Sequence, residues 1–402
     1  MVHLLLAIIY ISFVSLGLPD SMLGSAWPSI YPAFGVPVSF AGAISIIISF
    51  GTVSSSLLSE RLNKRLGTGV VTAVSVGMTA TALFGFSVST AFWQLCLWAI
   101  PYGLGAGSVD AALNHYVALH YESRHMSWLH GLWGVGTVIG PTVLGAVLSG
   151  GGTWSQGYRY ISFFQMALTA LLVISLPLWK KAHLPVPAEE QVDQTGEKAY
   201  SRREDSLRES SLLETLRIRG AKEAFLAFFC YGALEQTAGL WGSSYLVLHD
   251  GLPTDQAARY AGLFFLGITV GRFISGFLTF RLNDRQMIRI GQGITACGVL
   301  AVLLPFGTVC TLCGLVLIGL GCAPVFPCMI HAVPETFGEQ HAQAIIGVQM
   351  ASCSLGICLM PPLFGLVAQQ ISVALFPVYL LTVLLLMIGL YTLLLHKRNK
   401  GI

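Results

Sequence analysis

The sequence predicts an all-α polytopic membrane protein of twelve transmembrane helices, arranged as two pseudo-symmetric six-helix bundles. Three observations carry this prediction: the composition, the spacing of the apolar runs and an internal repeat. Of 402 residues, 54% are hydrophobic and only 10% charged, against roughly 25% charged residues in a soluble domain. A helix needs about 20 mostly apolar residues to cross the hydrocarbon. Runs of that kind fill segments 3–32, 36–58, 68–89, 92–118, 126–149, 158–179, 221–248, 255–279, 286–306, 308–331, 340–369 and 372–396. The repeat shows most plainly in "RLNKR" at Arg61 to Arg65 after segment 2, which returns as "RLNDR" at Arg281 to Arg285 after segment 8.

Each segment is justified in turn by its flanks. Segment 1 holds "GLPDSMLG" in its middle and has neither a basic start nor a small-residue cleavage site, so it reads as a helix rather than a signal peptide. The lysines and arginines of the connections set orientation. Arg61, Lys64, Arg65, Arg124, Arg281, Arg285, Arg289, Lys397, Arg398 and Lys400 fall on one side, with nine more in the middle connection. Arg159 and Arg259 fall on the other. This places both termini in the cytoplasm and the protein in the cell (plasma) membrane. The formal net charge of +3 is the basic inner face that insertion requires and calls for no nucleic-acid partner.

The one long polar stretch, 181–220, divides an N-terminal bundle (1–180) from a C-terminal bundle (221–402). Its end, "SRREDSLRESSLLETLRIRG", has charges and leucines at helical spacing and reads equally as a surface amphipathic helix or a solvated linker. Further echoes share the repeat's register. "GLPDSMLG" from Gly17 matches "GALEQTAG" from Gly232. "GLG" at Gly103 and at Gly319 is followed at equal distance by His115 and His331, and Pro141 with Gly145 matches Pro361 with Gly365. Nine cysteines lie mostly in apolar runs as small hydrophobes, and "CTLC" at Cys310 to Cys313 lacks a second pair or histidine to complete a metal site.

Two six-helix halves related by an axis along the membrane normal form the parallel repeat of the major facilitator transporters. "SERLNKR" resembles that superfamily's loop signature, with Glu60 at the acid position and Ser56 in place of the glycine; in the second half Gly276 keeps the glycine while Phe280 replaces the acid. "GLGAGSVDAALNHYV", "WLHGLWGVGTVIGPTVLG", "YGALEQTAGLW", "GRFISGFL" and "GLGCAPVFPCMI" resemble the segment 4, 5, 7, 8 and 10 patterns of the fucose permease and glucose/mannose:proton symporter family. The resemblance implies alternating-access transport of a monosaccharide or similar polyol with a proton. "GVGTVIGPTVLG" also resembles the Gly-Pro motif of drug:proton antiporters, and proton-driven export of drugs or other small organic solutes is the alternative.

Charges at mid-bilayer cost several kcal/mol and persist where they line a cavity or path. Asp20, Asp110, Glu235 and Arg272 are the four inside the apolar spans. Asp20 and Asp110 are the proton-coupling candidates, because a carboxyl group in a low-dielectric cavity resists ionising and responds to changes in hydration. By resemblance they fall at the family's segment 1 aspartate and segment 4 acid. Asn114, four residues beyond Asp110, shares its helix face. Glu235, Gln236 and Trp241 supply acceptors, donors and an aromatic face for sugar hydroxyls and ring, with His130, Trp133 and Gln349 completing the substrate site. Glu60, Arg61, Arg65, Arg272, Arg281 and Arg285 are gating candidates. The sequence offers no nucleotide-binding loop and no catalytic triad, so no enzyme and no cofactor are expected. The expected partners are a small-molecule substrate and the lipid bilayer, with the chain working as a monomer. The coupling ion is a proton, or sodium held by the same carboxylates and nearby backbone oxygens.

Overall fold

The computed structural model describes residues 2–121, 123–182 and 216–399. The predicted amphipathic stretch and the linker therefore lie mostly outside the described residues. The long helices are α1 (Val2–Asp20), α2 (Met22–Phe34), α3 (Ala41–Leu66), α4 (Thr68–Val88), α5 (Phe92–His120), α6 (Ser123–Ser149) and α7 (Trp154–Ala182) before the linker. After it come α8 (Ala221–Leu248), α9 (Thr254–Leu278), α10 (Asp284–Leu303), α11 (Thr308–His331), the short α12 (Val333–Phe337), α13 (Glu339–Gln370) and α14 (Phe376–Asn399). Among the described residues, ten stretches are long and apolar enough to cross a membrane, with α1 and α2 together forming the first. Segment 1 is thus one predicted span in two pieces, broken at Ser21.

The two long helices missing from that set are α5 and α8, of 29 and 28 residues. Each places hydrogen-bonding groups mid-helix, Asp110 with Asn114 in α5 and Glu235 with Gln236 in α8. Both helices pack between apolar neighbours rather than standing apart from them.

The sequence repeat is a repeat of packing. A Cβ added at Gly103 would stand 2.4 Å from the Ile48 carbonyl oxygen, where α5 crosses α3. At Gly319, 216 positions on, it would stand 2.0 Å from the carbonyl oxygen of Phe264, itself 216 positions beyond Ile48. Gly136 meets the Val14 carbonyl oxygen at 2.1 Å and Gly356 that of Phe229 at 2.2 Å, so α6 lies on α1 as α13 lies on α8. Small residues let helix backbones approach this closely, which is how helices associate where lipid removes most of the hydrophobic drive.

The halves meet at the face opposite the chain termini. There Gly24 of α2 abuts the Gly239 carbonyl oxygen of α8, and Ser243 Oγ donates to the Ser25 carbonyl oxygen at 3.4 Å. Ser39 pairs with Gln369, Gly42 packs on Pro362, and Ser149 Oγ donates to Asp255 Oδ2 at 2.7 Å. One apolar core runs through both halves here, including Met22, Trp27 and Ile30 of α2, Trp241 and Leu246 of α8 and Phe364 of α13. Toward the terminus face the first half has a core of its own, built on Leu5, Ile8, Phe13, Val109, Tyr116 and Trp179. Among the described residues, the hydrogen bonds and close glycine approaches between halves extend no nearer that face than Phe273 against Gly131. The opening between the halves therefore faces the side that carries both termini.

Candidate functional site

Asp20 sits at the break between α1 and α2. Pro19 inside the helix has no N–H to give the Ser15 carbonyl oxygen four residues back, and Gln165 Nε2 of α7 donates to that oxygen instead at 2.8 Å. The strand of backbone around Asp20 is pressed onto α6: a Cβ at Gly17 would lie 2.1 Å from the Trp133 carbonyl oxygen, and one at Gly140 would lie 2.2 Å from that of Leu18. This contact brings the Trp133 indole to the carboxylate.

Each Asp20 oxygen accepts one neutral donor. Tyr102 Oη of α5 donates to Oδ1 at 2.9 Å, and Trp133 Nε1 donates to Oδ2 at 2.8 Å. Tyr102 is buried, whereas Asp20 is exposed although it lies at the middle of its span. An exposed carboxylate at that depth lines the opening between the halves. Asp110 follows Tyr102 on α5 by eight residues, about 12 Å nearer the terminus face. Its Oδ1 accepts Asn114 Nδ2 at 3.0 Å, as the spacing of four predicts. Asn114 Oδ1 is buried and has no partner among the described residues.

The second half contributes Glu235 and Arg272. Tyr231 donates to Glu235 Oε2 from one turn earlier on α8. Arg272 of α9 stands over the Trp133 ring with its guanidinium carbon 5.1 Å from the centroid. Asp20, Tyr102, Trp133 and Arg272 thus form one connected group where the halves part, with Asp110 and Asn114 further along α5 toward the terminus face. Arg272, expected as a gate, belongs to this interior. His130 is half-buried and meets Phe13 edge-on at 5.9 Å. Gln236 is half-buried beside Glu235.

Two predicted substrate contacts stand elsewhere. Trp241 is fully buried; its Nε1 donates to the Pro361 carbonyl oxygen at 2.8 Å and its ring packs on Phe364, so it joins α8 to α13 at the closed face rather than stacking on a ligand. Gln349 is buried in a small cavity of the second half, lined by residues of α11 to α14 such as Met329, Phe337 and Tyr391. Helical spacing identifies a shared face but not how deeply it is buried, and both residues are buried in this state.

The gating arginines occupy the terminus face. Arg285 Nη2 meets Glu335 Oε1 at 3.3 Å, and Asp284 Oδ2 meets His331 Nδ1 at 2.7 Å, both within the second half. Arg61, Arg65 and Arg281 are exposed, and none has a carboxylate within 4 Å among the described residues. The side chain of Glu60 lies outside the described residues. Sequence reading missed Tyr231 and Tyr102. Tyr231 was within reach, since it precedes Glu235 by four on one helix; Tyr102 meets Asp20 across 82 positions, a contact that only the fold creates.

The family model of the Major Facilitator Superfamily matches residues 9–361. A relative described as a glucose/mannose transporter, GlcP of Bacillus subtilis (strain 168), is 22% identical over 95% of this chain and 92% of its own length. "Bypass of stop codon protein 6" of Saccharomyces cerevisiae is 23% identical over 95% of this chain and 80% of its own length. Among solved structures, a D-xylose-proton symporter superposes with a TM-score of 0.71 at 13% identity, covering 95% of this chain and 96% of that one. The nucleoside transporter NupG gives 0.69 at 17% identity, covering 97% and 98%. With a family match over most of its length, the same fold and a polar group set between two repeated halves, the chain belongs to the Major Facilitator Superfamily and is a secondary transporter of the membrane rather than an enzyme.

Proposed function

We propose that this transporter imports a monosaccharide or similar polyol together with a proton, by alternating access. The observation that carries the reading is the pair Asp20 and Asp110, two carboxylates on the wall of the opening whose hydrogen-bond partners are neutral donors rather than cations. Such a carboxylate can exchange its proton when water reaches it. Glu235, Gln236, Asn114 and His130 offer the donors and acceptors that sugar hydroxyls need, with Trp133 as the apolar face. The glucose/mannose relative and the D-xylose-proton symporter fold agree with that substrate class. With the termini in the cytoplasm of a cell membrane, as the connection charges argue, the open face is the cytoplasmic one and the described state is inward-facing.

Proteoliposomes tested with a panel of labelled sugars, with and without an inward proton gradient, decide the matter. Uphill accumulation of one hexose or pentose that collapses with the proton gradient, and not with a sodium gradient, is the expected result. Proton-driven expulsion of hydrophobic cations with indifference to sugars would replace symport by drug export.

A further inference from the structure

Arg272 presents an energetic problem that the transport reading alone leaves open. A guanidinium in the membrane interior is costly, yet no carboxylate lies within 4 Å of it among the described residues. Its partner is the face of Trp133, on the other half of the molecule. The edge of the same indole donates to Asp20. Arg272 and Trp133 also stand at the level where contact between the halves ends, beside Phe273 on Gly131.

We propose that Arg272, seated on the Trp133 indole, is a positioning residue through which the second half responds to the charge on Asp20. The inference rests on the proton-coupled reading of Asp20. A cation over an aromatic face withdraws electron density from the ring, which makes the indole N–H a stronger donor, and polarised hydrogen bonds in series reinforce one another. An ionised Asp20 is the better acceptor, and by holding the indole it holds the seat of Arg272. The two effects are reciprocal, since a coupling free energy acts equally in both directions. Protonation of Asp20 weakens the N–H bond, loosens Trp133 and frees Arg272, and with it α9, to move against α6. The groups that contact Asp20 are Tyr102 of α5 and Trp133 of α6, with Asp110 eight residues beyond Tyr102 on α5. Arg272 of α9 acts across the indole, and His130 of α6 and Glu235 of α8 are the other titratable side chains of the site. Among these, Arg272 is the permanent cation, and it belongs to the half that Asp20 does not.

The test uses substrate-free protein with the native cysteines replaced and spin labels at Leu66→Cys and Phe280→Cys, exposed positions at the terminus face of the two halves. Distance distributions between the labels are recorded against pH. Acidification is expected to deplete the open population in the wild type, and Asp20→Asn to remove the response. Arg272→Gln should move the midpoint to higher pH by about one unit, the size expected of a desolvated cation–π contact. Arg272→Met serves as a second neutral variant, and Arg272→Lys should restore part of the shift. The decisive combination is Arg272→Gln in a Trp133→Phe background, where the further shift should vanish because the indole N–H that links the two residues is gone. An unchanged midpoint in Arg272→Gln, an equal shift with and without Trp133, or a response that survives Asp20→Asn would each overturn the inference. If wild type and Asp20→Asn are alike indifferent to pH, it is the proton-coupled reading itself that fails.

Discussion

At the scale of single residues, the two aspartates differ in what holds them, and this separates their expected roles. Asp20 is tied to α5 and α6 through Tyr102 and Trp133, so its charge state bears on the packing of three helices; among the described residues Asp110 is held by Asn114 on its own helix. Asp110→Asn imitates a permanently protonated carboxyl group. Counterflow exchange of substrate in proteoliposomes should persist, while concentrative uptake is lost and the pH dependence of transport flattens. A monodisperse Asp110→Asn protein that still accumulates substrate with wild-type pH dependence would pass the coupling role to Asp20 or Glu235. Glu235→Gln keeps the side-chain volume and removes a charged acceptor, which typically costs about 1.5 to 3 kcal/mol per lost bond. Substrate affinity by calorimetry should fall about tenfold or more. Tyr231→Phe, which deletes the hydroxyl on Glu235, should weaken binding less. If both variants bind like wild type, the pair serves packing alone.

At the scale of elements, the same pentapeptide adopts two structures for a local reason. "RLNKR" continues α3 to Leu66, where Gly67 at φ +81° ends the helix. "RLNDR" follows the end of α9 and starts α10: Asn283 Oδ1 accepts the Gln286 N–H at 2.9 Å, and Gln286 Oε1 accepts the Asn283 N–H at 3.1 Å. This reciprocal cap needs a glutamine three residues after the asparagine. After Asn63 that position is Leu66, so no cap forms. The crossing glycines give a sharper prediction. At Gly136 any Cβ would strike the α1 backbone at 2.1 Å, whereas at Gly347 nothing lies within 4 Å. Gly136→Ala should lower the Tm in detergent by several degrees, in line with the 1–3 kcal/mol typical of overpacking. Gly347→Ala should leave the Tm unchanged or raise it, since glycine costs a helix up to about 1 kcal/mol relative to alanine. Equal Tm values for the two variants would show that α1 and α6 do not approach as closely as described.

At the scale of the whole molecule, the closed face is held by an apolar core continuous through both halves, and on the opposite face the ion pairs among the described residues lie within the second half. On the terminus face Arg285 pairs with Glu335 inside its own half, while Arg61, Arg65 and Arg281 have no carboxylate within 4 Å among the described residues. We propose that those three take partners when the halves rock together there, through helix C-termini and acids of the facing half. Arg61→Gln combined with Arg281→Gln should therefore leave the described state intact and destabilise the alternative one. Labelling of Phe280→Cys from the terminus side should rise under conditions that drive closure in the parent protein. Unchanged labelling would leave these arginines with insertion topology as their sole task.

The sequence by itself determined the membrane class, the helical fold, the repeat and the chemistry available inside it. It could do so because apolar length, charge asymmetry and periodicity are local quantities, and because a buried charge is conspicuous in an apolar run. Asn114 on Asp110 was legible for the same reason, being a contact along one helix. What only the tertiary structure decided is which face of each helix looks into the opening. That choice left Trp241 and Gln349 buried, brought Tyr102 to Asp20, and set Trp133 between Asp20 and Arg272. Spacing along a chain fixes the angle between two side chains on a helix, but the rotation of that helix in a bundle follows from glycine contacts with neighbours far away in sequence. Gly136 on Val14 and Gly356 on Phe229 are such contacts, and the physical reason is steric: two backbones approach closely only along the strip where neither carries a side chain.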